Sequence, residues 1–150
     1  MQTKMQSRLG IVDAHYKMTL NCYRPPKPRK YPQQSRSKML VMSIQQACLE
    51  VFERTEADRV TMSLIAGHAG VTKGSIYQYF NGIDSVIGSI YDRTIERTLR
   101  RTVRGVGSES ETSNLTTQLA EFDTLFARSY YRDFYRHALA RDKSLSKVYR

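Results

Sequence analysis

The sequence has few of the residues that build disulfide scaffolds or metal centres. Its 150 residues include two cysteines, Cys22 and Cys48, far apart and outside any CxxC spacing, which argues against a disulfide framework and a cysteine-built zinc site. Cys48 falls in an apolar helical pattern, where a free thiol packs as a small hydrophobe. No apolar run approaches the roughly 18 residues of a membrane span. The basic N-terminus is not followed by the apolar core of a secretion signal. The expectation is a cytoplasmic protein with no membrane partner. No nucleophile elbow, phosphate loop, HExxH or paired-carboxylate pattern is present, and Lys73-Gly74-Ser75 lacks the upstream glycine spacing of a phosphate loop. An enzyme is therefore not expected, nor a cofactor. His15, His68 and His137 each stand without a second ligand nearby in sequence, so no metal site is expected. Strand-like alternation is missing throughout, which makes the fold class all-α.

Acidic residues are also scarce at the start of the chain. Residues 1–40 carry nine Lys or Arg against Asp13 alone, whereas residues 41–150 carry fifteen basic and thirteen acidic groups. Most of the net charge of +10 therefore belongs to an N-terminal arm, and a basic arm on a near-neutral body suits a polyanionic partner. Within it, Arg24 to Pro32 reads RPPKPRKYP. Proline supplies no amide donor and breaks helices, so residues 1–36 are expected to form an extended, unstructured arm, with a short helix near Ile11–Leu20 as the alternative for that stretch.

Helical periodicity begins after Ser37, a residue type that caps helix N-termini. Leu40, Val41, Ile44, Ala47, Cys48, Val51 and Phe52 fall on one face with a period near 3.6. A polar link, Thr55–Val60, follows. The block from Thr61 to Phe80, TMSLIAGHAGVTKGSIYQYF, then has the grammar of a helix-turn-helix. Thr61 caps a short helix with Leu64, Ile65 and Ala69 on its apolar face. Gly70 ends it, because glycine tolerates a left-handed turn residue. Thr72 caps a second short helix running through Ile76 towards Tyr79. Ala66 and Ala69 let the two helices approach, and Ile65, Val71 and Ile76 supply their shared core. Asn81-Gly82 marks a turn, and Asp84 opens a longer helix through Val86, Ile87, Ile90, Tyr91, Ile95 and Leu99. Arg93, Arg97, Arg100, Arg101 and Arg104 load that helix towards its C-terminal end, where cations complement the dipole. Gly105, Gly107 and the Ser-Glu stretch read as a linker. An aromatic helical region is then expected from Leu115 to Leu139.

Thr72, Lys73, Gly74, Ser75, Tyr77 and Gln78 are short or hydrogen-bonding side chains, suited to base edges and phosphates. Gln78 is fitted to an adenine edge, and Lys73 to a guanine or a phosphate. Thr72 offers free amide groups to a phosphate.

Ile65, Ala66, Ala69, Gly70, Val71, Thr72, Gly74, Ser75, Ile76, Tyr77, Tyr79 and Phe80 together resemble the helix-turn-helix of the TetR family of transcriptional regulators. The likeness covers about residues 37–98. It implies a three-helix DNA-binding domain (37–98) preceded by the basic arm (1–36), a long connecting helix, and a short helical ligand-binding and dimerisation region (99–150). It further implies that Thr72 and Tyr77 clamp phosphates and that Lys73, Gly74, Ser75 and Gln78 face bases. Tyr79 would close the reading surface, Thr61 and Ser63 would touch the backbone or flanking bases, and the arm would follow the minor groove. The implied partners are double-stranded DNA carrying a palindromic operator, a second copy of the chain, and a small-molecule inducer that releases a repressor.

The chain departs from the family pattern in three places. Glu56-Ala57 stands where the family commonly has Gly and an aromatic residue. Ile83 stands where a phosphate-holding Lys is common. Residues 105–150 supply about half of the family's usual C-terminal region. That shortness leaves a second class open, a partner-dependent protein acting through heterodimers or nonspecific DNA binding. Phe122, Phe126, Tyr130, Tyr131 and Tyr135 read either as the lining of a ligand pocket or as plain core packing.

Overall fold

In a computed structural model of the chain, residues 24–103 and 109–141 are described. The described elements are all helical: α1 (Ser35–Arg54), a 3₁₀ turn at Ala57–Arg59, α2 (Met62–Ala69), α3 (Lys73–Tyr77), α4 (Ile83–Val103), α5 (Glu109–Phe126) and α6 (Tyr131–Arg141). Among the described residues no helix is long and apolar enough to cross a membrane. One compact unit spans Pro25–Tyr91, and a second contains the chain from Asp92 onward.

In the first unit, α1 packs on α2 and α2 on α3. The core is the set the periodicity picks out. Ile44, Ala47, Cys48, Val51 and Phe52 are buried on α1, Ile65 and Ala66 on α2, Ile76 on α3, and Val86, Ile87, Ile90 and Tyr91 on α4. Cys48 is buried and forms no disulfide. A buried polar link ties α1 to α4: Gln45 Nε2 donates to Ser89 Oγ (3.1 Å), which donates to the Val86 carbonyl (2.6 Å). Buried polar groups must be satisfied in this way or cost stability.

Several expectations need correction. Helix α1 starts two residues before the expected cap. Gln34 is the boundary residue, and Lys38 N–H already donates to its carbonyl (2.9 Å). Ser37 therefore sits inside the first turn, because nothing at Ser35 or Arg36 opposes helical geometry. On α2, Leu64 is 45% exposed and Met62 takes the buried place. The Glu56-Ala57 corner uses no left-handed residue. Thr55 and Glu56 are extended, and Arg59 N–H closes the 3₁₀ turn on the Glu56 carbonyl (2.9 Å). Glycine is thus not needed there, since the link turns by a 3₁₀ step instead.

The arm differs most. Residues 24–34 have no regular secondary structure, as proline dictates, but they do not hang free. Pro25 is buried, and Arg29 N–H donates to the Tyr79 carbonyl (2.7 Å). The expected Ile11–Leu20 helix, Cys22 and His15 lie outside the described residues.

In the second unit, α5 packs on α6. Its core is aromatic: Phe122, Phe126, Tyr131, Phe134 and Tyr135 are buried with Leu115 and Leu119. The expected aromatic helical region consists of two helices, and the chain turns between them at Ala127 with φ 54°. Helix α5 begins at Glu109, so the Ser-Glu stretch enters the helix. Gly105 and Gly107 lie outside the described residues.

Candidate nucleic-acid interface

The helix-turn-helix is built by two threonine caps and one glycine. Thr61 Oγ1 accepts from Leu64 N–H (3.2 Å), and Thr72 Oγ1 accepts from Ser75 N–H (3.1 Å). Each hydroxyl satisfies an amide that has no partner inside its helix. Between the caps, Gly70 takes φ 71°. Val71 N–H then donates to the Ala66 carbonyl (3.0 Å) and Gly70 N–H to the Gly67 carbonyl (3.3 Å), a Schellman closure. A second brace crosses from α1 to α2, where Glu50 Oε2 pairs with His68 Nε2. Hydrogen bonds from Gln46 (3.0 Å) and then from His68 hold the Glu50 carboxyl below its ordinary pKa. His68 is thus an exposed structural partner of α1.

Helix α3 is one short piece anchored by Ile76, which is fully buried. With Ile76 inward, the opposite face stands outward. Thr61, Ser63, Thr72, Lys73, Gly74, Tyr77 and Gln78 are all exposed, and Ser75 is half-buried. The Ser75 hydroxyl is engaged with Thr72 Oγ1 (2.9 Å), so it belongs to the cap as much as to the surface. A Cβ on Gly74 would meet nothing nearer than Thr72 Oγ1 at 3.8 Å. Internal packing therefore does not require glycine there, although glycine is a poor helix former.

Tyr79 does not share that face. Its ring is only 7% exposed, with the Lys30 ammonium 4.7 Å from its centroid. It follows the buried Ile76 by three residues, a spacing that turns it to the same inward side. What Tyr79 offers is its carbonyl, which receives the Arg29 amide. Arg29 Nη1 also donates to the Tyr77 carbonyl (3.1 Å). These arm contacts had no periodic signal in the sequence, since an extended strap carries none. The one hint is that an Arg-rich segment is also proline-rich and so suited to lie along a surface.

At the start of α4, Ser85 Oγ donates to the Gly82 carbonyl (2.8 Å). Ile83 is half-buried there and brings no charge. On the long helix, Arg100 pairs with Glu96 (2.7 Å). Burial first, and Arg97 second, lower the Arg93 pKa from its ordinary value.

The aromatic candidates all lie in the second unit. Phe122, Phe126, Tyr131 and Tyr135 are buried, whereas Tyr130 is exposed. Phe122 and Phe126 lie 5.8 Å apart, Tyr130 and Tyr131 4.7 Å, Phe134 and Tyr135 5.1 Å. These are ordinary packing distances for aromatic rings. Asp123, also buried, is paired with Arg132 Nε (3.0 Å). Among the described residues no three His, Cys, Asp or Glu side chains are grouped so as to hold a metal ion.

Two capped short helices at a glycine corner, braced by a third, with a hydrogen-bonding outer face, define a helix-turn-helix DNA-binding module. Residues 44–90 match the family model described as bacterial regulatory proteins, tetR family. The match covers under a third of the chain, and it makes this segment similar to the N-terminal DNA-binding domain of those regulators. No curated protein and no solved structure matches the chain.

Proposed function

We infer that the protein is a sequence-specific transcriptional repressor acting on duplex DNA in the cytoplasm. It reads a palindromic operator as a homodimer, and a small ligand taken up by the C-terminal helices releases it. The observation that carries this reading is the outward row Thr72, Lys73, Gly74, Tyr77 and Gln78 on a helix pinned from behind by Ile76. Gln78 and Lys73 supply base-edge or phosphate donors, Tyr77 and Thr72 supply phosphate contacts, and Thr61 and Ser63 hold the flanking backbone. Ser75 supports the row through the Thr72 cap. Gly74 keeps the surface low where the duplex comes closest. Phe122, Phe126, Tyr130, Tyr131 and Tyr135 are the residues assigned to the ligand.

The test is selection of bound sites from a random duplex library, followed by titration of the selected and a scrambled duplex. A twofold-symmetric site, bound at least a hundredfold more tightly than the scramble, is expected, since three or four good side-chain pairs at ~1–3 kcal/mol each reach that ratio. Equal affinity for both duplexes would reduce the protein to a nonspecific binder. Sedimentation of the full chain tests the homodimer, and a monomer would favour the partner-dependent alternative.

A further inference from the structure

The proline-rich basic segment makes its described contacts with its own unit. It runs past α4, where a Cβ on Gly88 would sit 3.0 Å from Pro25 Cβ and 3.3 Å from the Pro26 carbonyl oxygen. It then reaches the end of α3, where Arg29 donates its amide to Tyr79 and its guanidinium to Tyr77. Lys30 lies over the Tyr79 ring. Helix α3 has five residues, far below the length at which a helix holds itself together in water. Its N-terminus is capped by Thr72. At its C-terminal end the Tyr77 carbonyl accepts from the Arg29 guanidinium, 48 positions upstream, and the Tyr79 carbonyl just past the helix accepts from the Arg29 amide, so that one residue brings a positive charge to the negative end of the helix.

We propose that Pro25–Lys30 is a strap that sets the pose of the reading helix, with Arg29 as a positioning residue for DNA recognition and not a minor-groove contact. This rests on the DNA-reading assignment above and adds to it a residue outside the helix-turn-helix motif. Gly88 is the seat of the strap. Its missing side chain is what lets Pro25 and Pro26 approach α4. The strap's charge neutralises the carbonyl end of α3, and Tyr77, which belongs to the reading surface, is held through its own carbonyl.

The experiment compares the full-length chain with Arg29→Ala, Gly88→Ala and Lys73→Ala. Gly88→Ala disturbs the strap from its far side, touches no outward residue, and raises the helix propensity of α4. Affinity is measured on a selected and a random duplex across a salt series, and amide hydrogen exchange is followed at Gln78, Tyr79 and Phe80. Arg29→Ala and Gly88→Ala are expected to lower the ratio of selected to random affinity about tenfold. They should leave the salt slope unchanged and speed exchange at those three amides about tenfold, the size expected for losing one hydrogen bond from a charged donor. Lys73→Ala, by contrast, should reduce the salt slope by about one phosphate equivalent. If Arg29→Ala instead weakens both duplexes equally and lowers the slope, Arg29 touches DNA and the strap proposal fails. Unchanged exchange at residues 78–80 in both strap variants also overturns it. If the wild-type chain does not distinguish the two duplexes, the sequence-reading assignment fails, and the exchange data still decide whether the strap holds α3.

Discussion

The two units turn the same corner with different residues. Between α2 and α3 the left-handed position is Gly70 at φ 71°, and between α5 and α6 it is Ala127 at φ 54°. Both corners close identically. Val71 and Gly70 donate back to Ala66 and Gly67, while Arg128 and Ala127 donate back to Asp123 (3.1 Å) and Thr124 (3.3 Å). Glycine enters this conformation freely, whereas alanine meets a steric cost of roughly 1–2 kcal/mol. The C-terminal corner must offset that cost through its surroundings. There the buried Asp123 holds Arg132 across the turn, Arg128 Nη1 donates to the Phe126 carbonyl (2.8 Å), and the rings of Tyr130 and Tyr131 stack edge-on just beyond it. The lesson is that the DNA-binding unit builds its corner into local residue choice, while the C-terminal unit relies on packing and charge.

The largest break in that comparison comes from the core. Phe80→Ala removes a ring that is 1% exposed and should cost about 3–5 kcal/mol, read by urea denaturation. DNA binding should disappear with it, because Phe80 follows directly on the reading helix. Phe126→Ala, fully buried in its own unit, should be as costly there.

The corners give the sharpest pair. Gly70→Ala should destabilise by about 1–2 kcal/mol. No atom lies within 4 Å of the added Cβ, so the cost is conformational and not a clash. Ala127→Gly should go the other way and stabilise by roughly 1 kcal/mol. Melting temperatures of the two variants should therefore move in opposite directions, and a drop for Ala127→Gly would show that its corner is not strained.

The caps come next. Thr72→Ala should cost about 1 kcal/mol of stability and weaken binding to the selected duplex, whereas Thr72→Ser should restore both. A fully retained affinity in Thr72→Ala would show that the cap does not hold the reading surface.

The smallest effect concerns pH. Hydrogen bonds depress the Glu50 pKa in the folded protein, so the contribution of Glu50 is present above the ordinary carboxylate range. It is lost as the pH falls through the lowered folded value. Glu50→Gln should flatten the acid limb of melting temperature against pH and leave the neutral range nearly level. An unchanged acid limb would mean that the α1–α2 brace does not respond to that carboxylate.

Most of the first unit was legible from residues 35–91. Apolar spacing on α1 marked Ile44 to Phe52, Thr61 and Thr72 announced helix starts, and Gly70 announced a stop. Each of these signals acts within one or two turns, so a linear reading captures it. The same reading did not locate the α5–α6 turn, because Ala127 carries no turn signature. It also counted Tyr79 in the reading surface, although a position three residues after the buried Ile76 falls on the inward side of the helix.

The sequence alone determined the all-helical class, the position of the helix-turn-helix and the outward chemistry of Thr72 to Gln78, since caps, glycine corners and apolar spacing are local properties of the chain. Only tertiary structure decided that Arg29 reaches the end of α3, that Gly88 seats Pro25, that Leu64 is exposed where Met62 is buried, and that Ala127 can bear a left-handed backbone. These depend on residues far apart in sequence meeting in space, and the energy that settles each one comes from the partner and not from the residue itself.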